Sequence, residues 1–199
     1  MATGRPGRTR SEKSWQAILE ATRDELAAQG YDRLSIDRIA TAAGVGKQTV
    51  YRWYPSKSSL VAECILRGYV VTPGIDILET GSVRDDIAAW LEAFAAGSRS
   101  PGGAALIRAG TAAAAEDEEV AARYAEVTKK TEDALVERLE TGIAAGQLPA
   151  ETPAATLAEA LVGALLFKVV ARQEISPQFI SDLLNLVFTK ESLHPEESV

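Results

Sequence analysis

The segment AGVGKQTVYRWYPSK, residues 43–57, limits the fold of this chain more than any other, because only three residues in it separate two helical patterns. Ile36 and Ile39 form the inner side of the first pattern, and Val50 and Tyr54 lie one turn apart on the second. A turn this short that contains glycine is typical of two helices packed as a helix-turn-helix. The sequence therefore predicts such a pair at this point.

Helical patterns also flank this pair. The first helix is predicted from Ser11 to Gln29 and ends where Gly30 follows it, the usual place for a glycine after a helix. Ser35 is the predicted N-cap of the second helix, the third covers Lys47 to Tyr54, and Ser56 is the predicted N-cap of a fourth. No alternating strand pattern occurs in the chain, so the predicted fold class is all-α.

The last two helical patterns are the most apolar of the chain. Residues 153–171 have apolar side chains on nearly every side of the predicted helix, and the next helix has a wide apolar stripe. Such helices must be covered, so we expect a second copy of the chain to pack there. The predicted dimer-interface residues are Leu157, Leu161, Leu165, Phe179, Leu183 and Val187.

The distribution of charge and the helical patterns divide the chain at the same place, near Gly68. Up to Gly68 there are eleven Lys and Arg against seven Asp and Glu, a net +4; because the whole chain has −7, the remainder has −11. A basic segment on an acidic body indicates that only the N-terminal part meets a polyanion. The predicted segments are a flexible basic arm (1–13), a three-helix helix-turn-helix domain (14–68), a helical-bundle domain (69–190) and a disordered tail (191–199).

The composition argues against several classes of site. Cys64 is the only cysteine and His194 the only histidine, so we expect no internal disulfide, no zinc or other metal site and no cofactor. A Ser-His-Asp set and a glycine-rich phosphate loop are also missing from the sequence, which argues against an enzyme. Catalysis by carboxylates in a helical bundle stays as the alternative.

No segment is typical of export or of membrane insertion. The N-terminus is basic but lacks the apolar stretch of a secretory signal. Residues 153–171 come nearest to a membrane span, yet Glu159 and Lys168 interrupt them. We therefore expect a cytoplasmic protein that does not contact membranes.

The third helix carries a polar face suited to DNA. Gln48, Tyr51 and Arg52 lie at helical spacing on the side opposite Val50, with Thr49 at the margin. In the major groove Gln pairs with adenine, Arg pairs with guanine and Thr contacts a thymine methyl group, while Tyr reaches a phosphate. A merely solvated surface helix is the alternative interpretation.

Cations and aromatic side chains favour the DNA interpretation. Lys47 and Lys57 each fall in the first turn of a helix, where a positive charge opposes the helix dipole unless a phosphate binds there. Exposed Tyr51 and Trp53 also suggest a partner surface, although Trp53 could instead cover the edge of the core.

The N-terminal arm contains Arg5, Arg8 and Arg10. Arginines of such an arm can enter the minor groove, where narrow A·T-rich stretches attract them, and in any position they neutralise phosphates. A disordered solubilising tail is the alternative explanation of the same residues.

Residues 14–65 resemble the DNA-binding domain of TetR-type transcriptional regulators. The resemblance rests on AAQGYDRLSIDRIA followed by AGVGKQTVYRWYPSK in the same order and spacing. It implies an all-α homodimer, in most members a repressor, whose C-terminal domain binds a small effector. With the arm included, the predicted DNA-binding residues are Arg5, Arg8, Arg10, Ser35, Arg38, Lys47, Gln48, Thr49, Tyr51, Arg52, Trp53 and Lys57.

Two positions depart from the family pattern. Gly46 stands at the N-cap of the third helix, where Ser is commoner, and Arg52 is bulkier than many residues found at its position. The operator sequence therefore does not follow from the resemblance.

Beyond residue 72 the chain matches the family only in pattern. Four aromatic residues could line an effector pocket, although an ordinary core position is the alternative for each of them. A bundle pocket with few polar groups would suit an apolar or aromatic effector. The predicted effector-binding residues are Trp90, Phe94, Tyr124 and Phe167.

The predicted function is therefore a homodimeric repressor that binds a palindromic operator in double-stranded DNA and is released by a small apolar or aromatic effector. A DNA-binding regulator without an effector, and an activator, stay open as alternatives.

Overall fold

The computed structural model describes residues 12–70 and 76–188. Within these ranges every regular element is a helix, which confirms the predicted all-α fold. The helices are α1 (Glu12–Gln29), α2 (Ile36–Ala42), α3 (Lys47–Trp53), α4 (Lys57–Leu66), α5 (Val83–Arg99), α6 (Gly103–Glu116), α7 (Glu118–Ala144), α8 (Ala154–Val170) and α9 (Pro177–Val187).

Serine side chains begin α2 and α4, as predicted. Ser35 Oγ accepts a hydrogen bond from Arg38 N at 3.4 Å, and Ser56 Oγ accepts one from Ser59 N at 3.0 Å. Ser56 N donates back to Ser59 Oγ at 3.2 Å, which completes a capping box. Side-chain oxygens thus satisfy backbone N–H groups that have no partner inside the helix.

The turn between α2 and α3 has the expected form. Gly44 has a φ of +65°, and Val45 N donates to Ala40 O at 3.0 Å. Val45 is half-buried and packs against the core, so its side chain fills the angle between the two helices. The helix α3 ends one residue earlier than predicted because Tyr54 has an extended backbone, with φ −133° and ψ 101°. The predicted start of α1 at Ser11 lies outside the described residues.

Two groups of buried apolar side chains hold the helices together. One joins α1–α4 to α6 and to the start of α7; the other joins α5, the later part of α7, α8 and α9. Between the groups, α1 packs on α6, and α4 packs on both α6 and α7. The helix-turn-helix is therefore fixed to the C-terminal helices through α1 and α4.

A buried ion pair ties α5 to α7. Asp86 and Arg138 are 1% and 5% exposed, and Arg138 Nε donates to Asp86 Oδ2 at 2.7 Å. Thr80 Oγ1 donates to Asp86 Oδ1 at 2.6 Å. Burial by itself would raise the pKa of Asp86, but the hydrogen bonds from Thr80 and Arg138 outweigh it and hold that pKa below its ordinary value. The carboxylate therefore stays charged inside the protein.

The apolar helix α8 turns part of its predicted interface inward. Leu161 and Leu165 are 2% and 0% exposed in the single chain, because their side chains pack in the protomer's own core. They leave no surface for a partner, so their prediction as dimer-interface residues needs correction. Leu157 on α8 is half-buried, as are Phe179, Leu183 and Val187 on α9. The exposed face of α8 carries other residues: Ala160, Gly163, Phe167 and Val170.

Candidate nucleic-acid interface

The polar face of α3 points to solvent. Gln48, Tyr51 and Arg52 are exposed, whereas Val50 and Tyr54 on the opposite side are 0% and 5% exposed. Val50 and Tyr54 fix the rotation of α3 by packing into the N-terminal core. Because the helix is anchored on one side only, its other side is available to the edges of base pairs.

The two remaining predicted residues of α3 lie at the border of this face. Thr49 is half-buried, and Trp53 is half-buried against the N-terminal core. The Arg52 guanidinium carbon lies 5.9 Å from the centre of the Trp53 ring. Trp53 therefore covers the core edge and supports Arg52 from beside it.

An acid from α2 holds Lys47 at the start of α3. Lys47 Nζ donates to Asp37 Oδ2 at 2.9 Å, and this hydrogen bond raises the pKa of Lys47. The same ammonium lies 5.9 Å from the centre of the Tyr51 ring. The Lys47 charge is thus kept beside the exposed face of α3.

An aromatic ring holds Lys57 at the start of α4. Lys57 Nζ lies 4.0 Å from the centre of the Tyr31 ring and donates to the backbone oxygen of Asp32 at 3.3 Å. No carboxylate of the described residues forms an ion pair with Lys57. Its charge is therefore not neutralised by the part of the protein that the structure describes.

The predicted residues of α2 are engaged within the protein. Arg38 pairs with Glu25 of α1, a hydrogen bond that raises the pKa of Arg38, and it also donates to the backbone oxygen of Arg33 at 2.6 Å. The Ser35 hydroxyl accepts the capping hydrogen bond at the start of α2. Both side chains still border solvent, with Arg38 the more exposed.

Sequence reasoning did not find the residues that hold these cations. Glu25, Asp37 and Tyr31 contribute a carboxylate or a ring from another helix or loop, 10 to 26 positions away in the chain. Periodicity within one helix carries no signal for such pairs, because they depend on how α1, α2 and α4 pack. The predicted contacts of Arg5, Arg8 and Arg10 lie outside the described residues.

The four predicted effector residues do not share one cavity. Trp90 is 3% exposed and its ring centre lies 6.3 Å from that of Phe94, both in the C-terminal core. Tyr124 packs beside the N-terminal core, and its hydroxyl oxygen lies 3.3 Å from the Thr111 hydroxyl oxygen. Phe167 is 65% exposed, on the outer face of α8. Trp90 Nε1 is buried without a hydrogen-bond partner among the described residues.

A cavity of about 770 Å³ lies elsewhere, between the end of α4, residues 76–79 and α7. Its apolar lining includes Ile65, Ile77 and Val127, while Lys130 and Arg138 contribute positive charge. Its size is that of a small-molecule site. Its lining is more polar than the predicted effector pocket, since Asp76, Glu79 and Glu137 also border it. Within the described ranges no three metal-binding side chains lie together.

Both parts of the chain match models of known protein families. The family model described as "Bacterial regulatory proteins, tetR family" matches residues 18–64, and that described as "Tetracyclin repressor-like, C-terminal domain" matches residues 77–187. The second match alone spans more than half of the chain. The two models cover the helix-turn-helix and the C-terminal helices respectively.

Individual relatives agree. The chain is 27% identical over 186 residues to the uncharacterized HTH-type transcriptional regulator YdeS of Bacillus subtilis, covering 92% of this chain and 91% of that protein. It is 32% identical over 82 residues to the DNA-binding transcriptional repressor TetR of Mycobacteroides abscessus, covering 41% of this chain and 43% of that one. The crystal structure of the TetR family transcription regulator SCO0332 has a TM-score of 0.65 at 28% identity, covering 92% of this chain and 100% of that one.

None of the described helices is both long and apolar enough to cross a membrane. A helix-turn-helix with an exposed Gln-Tyr-Arg face stands at the N-terminal end of the described residues, and family models match both halves of the chain. The chain therefore belongs to the TetR family, and it is a DNA-binding transcription regulator rather than an enzyme.

Proposed function

We propose that the protein is a homodimeric repressor that binds an inverted-repeat operator and leaves it when a small molecule binds. The observation that carries the proposal is the exposed face of α3, with Gln48, Tyr51 and Arg52 outward and Val50 and Tyr54 buried behind them. A helix held in this way can enter the major groove without rearranging the core.

The contacts divide into base and phosphate contacts. Gln48 and Arg52 read base edges, and Thr49 contacts a thymine methyl group or a nearby phosphate. Ser35, Arg38, Lys47 and Lys57 contact phosphates, Tyr51 and Trp53 contact phosphates or thymine methyl groups, and Arg5, Arg8 and Arg10 of the arm enter the minor groove. For Lys47, the phosphate replaces Asp37 as the acceptor, so DNA binding exchanges one anion for another.

Dimerisation brings two copies of α3 to one face of the DNA. The outer face of α8 exposes Phe167 (65%) and Val170 (48%), and Leu186 of α9 is 78% exposed. Gly163 lies on the same face of α8, and the space around it is open, which allows a partner helix to come close. The two recognition helices then enter successive major grooves, about 34–36 Å apart or somewhat more.

Effector binding acts through the contacts of α4. The cavity of about 770 Å³ borders the end of α4, and α4 packs on α6 and α7. A molecule that occupies this cavity only when α4 has shifted would favour a spacing of the two α3 helices that does not fit the operator.

Repression is supported by the similarity to the DNA-binding transcriptional repressor TetR of M. abscessus, which is 32% identical over 82 residues. An activator, or a regulator without an effector, would use the same DNA-facing residues. Such a regulator acts in the cytoplasm, where its operator DNA and effector are found.

The experiment is selection of bound duplexes from a random DNA pool with the purified full chain. We expect enrichment of an inverted repeat, and an affinity that falls steeply with salt concentration. Arg52→Ala should relax the preference at one position in each half-site by about 1–3 kcal/mol, whereas Lys47→Ala should weaken binding to all sequences about equally.

Two results would contradict the assignment of these contacts. One is an affinity that hardly responds to salt, and the other is an Arg52→Ala variant with an unchanged sequence preference. A library screen for small molecules that release the selected DNA then decides between regulation with and without an effector.

A further inference from the structure

A second cleft, of about 580 Å³, lies where the DNA-binding unit meets the C-terminal helices. One wall is formed by the end of α1 and the loop after it, and the other by α6, with Arg172 from the turn after α8. Three arginines line this cleft: Arg33, Arg108 and Arg172. Asp32 is the only carboxylate among its described lining residues.

The three guanidinium groups have no ion-pair partner among the residues that the structure describes. Arg108 is half-buried, and the bond from its Nη1 to Val169 O is 3.5 Å long. Partial burial and the nearby charge of Arg172 lower the pKa of Arg108. Two positive charges therefore lie close together, one of them partly removed from water, without a counter-charge from the described protein.

The backbone adds to this arrangement. Arg172 has a φ of +57°, in the left-handed region that favours glycine, and no other described residue except glycine has a positive φ. Arg172 follows the C-cap of α8: its N–H donates to Val169 O at 3.2 Å, and Gln173 N donates to Lys168 O at 2.8 Å. These are the hydrogen bonds of a Schellman motif, so the end of α8 fixes where the Arg172 side chain leaves the backbone.

The floor of the cleft is small and apolar. Four alanines line the cleft, Ala27 on α1 and Ala105, Ala109 and Ala112 on α6, and we call them the alanine floor. A cleft of this size is within the range of small-molecule sites, which combine an apolar lining with a few polar groups that fix orientation. Guanidinium groups bind carboxylate and phosphate oxygens through paired hydrogen bonds.

We propose that this cleft binds a small organic anion, whose phosphate or carboxylate group is held by Arg108 and Arg172 and whose apolar part lies on the alanine floor. Arg33 at the rim contributes attraction at longer range. The site is separate from the cavity beside α4 and α7, so it does not depend on the effector model above. Since its walls belong to α1 and α6, a bound anion would hold the DNA-binding unit against the C-terminal helices.

The test is isothermal titration calorimetry of the purified full chain with octyl phosphate, octanoate and octanol at constant ionic strength. We expect one saturable site per chain for at least one anion and none for the neutral alcohol. The phosphate and carboxylate arms decide which of the two groups the arginines hold.

Variants locate the site. Arg108→Gln should weaken binding of the anion by about tenfold or more, as expected for the loss of charge-assisted hydrogen bonds. Arg172→Gly should do the same, and it suits the left-handed backbone, so the variant keeps its fold. Arg99→Gln removes an exposed charge from the end of α5, and Lys130→Gln removes one from the other cavity; neither should change the affinity.

The proposal is overturned if no anion binds saturably, or if Arg99→Gln or Lys130→Gln weakens binding as much as Arg108→Gln. It is also overturned if Arg108→Gln and Arg172→Gly bind the anion as tightly as the wild type, because the two arginines would then not hold it. The calorimetry contains no DNA, so failure of the operator model does not affect its result.

Discussion

At the scale of single residues, two of the cations predicted to contact DNA have partners within the protein. Lys47 pairs with Asp37, and Lys57 lies over the Tyr31 ring. Exposed pairs of this kind add little to the free energy of folding. These contacts restrict two long side chains to the neighbourhood of the expected phosphates. The restriction lowers the conformational entropy that these side chains would lose when DNA binds.

The pair of Asp86 and Arg138 has a different role, because both side chains are buried in the protein. We expect Asp86→Asn to lower the free energy of unfolding by about 3 kcal/mol, since it leaves the Arg138 charge buried without a counter-charge. Urea unfolding at neutral pH measures the change. Asp133→Asn is the matched control, because Asp133 pairs with Lys129 on the exposed side of α7 and should give a much smaller change. Equal losses in the two variants would contradict a structural role for the buried pair.

The lowered pKa of Asp86 also predicts a pH dependence. The unfolded chain takes up a proton at this group near its ordinary pKa of about 3.9, whereas the folded chain does so only at lower pH. The stabilisation is therefore complete above the unfolded pKa and is lost as the pH falls through the folded pKa. Unfolding in urea between neutral pH and about pH 3 should show a steeper loss for the wild type than for Asp86→Asn. If the free energy of unfolding falls equally with pH in the two proteins, the pKa of Asp86 does not differ between the folded and unfolded chain.

At the scale of elements, the turn between α2 and α3 sets the angle at which the recognition helix is presented. Gly44 adopts φ +65°, while Gly46, two residues later, has an ordinary φ of −74° and no side-chain cap to offer α3. A Cβ atom would meet no neighbour within 4 Å at either position. Backbone conformation and capping alone therefore distinguish the two glycines.

This difference predicts that substitutions of the two glycines change the stability of the protein in opposite directions. Gly44→Ala should destabilise the protein by about 1 kcal/mol, because a residue with a Cβ is strained in the left-handed region. Gly46→Ser should stabilise it by a few tenths of a kcal/mol, roughly the gain from a serine N-cap over glycine. Urea unfolding of the two variants beside the wild type measures both changes. The assigned turn geometry is wrong if Gly44→Ala is as stable as the wild type.

At the scale of the whole molecule, the exposed apolar residues of α8 and α9 predict the assembly. Phe167→Glu combined with Leu186→Glu should convert a dimer, of twice 21.2 kDa, into monomers, because carboxylates would have to be buried without partners. Sedimentation equilibrium measures the mass. Leu78→Glu, at a leucine that is 52% exposed outside these helices, should leave the dimer intact. A wild type that sediments as a monomer, or a double variant that stays dimeric, would exclude this interface.

Local signals explain how much of the fold could be predicted. The caps at Ser35 and Ser56, the turn at Gly44 and the burial of Val50 and Tyr54 all depend on residues within about one or two turns of one another. The face of α3 followed from helical periodicity for the same reason. In α8, by contrast, apolar residues surround the helix, so periodicity could not distinguish Leu161 and Leu165, which face the core, from the exposed Phe167.

The helices, the short turn between α2 and α3 and the outward residues of α3 could be predicted from the sequence, because each depends on the spacing of neighbours along the chain. The structure was needed to show which acids and rings hold Lys47, Arg38 and Lys57, that Asp86 meets Arg138 across 52 positions, and that three arginines line one cleft between α1 and α6. Those arrangements depend on the packing of whole helices, which brings together side chains whose separation along the chain carries no periodic signal.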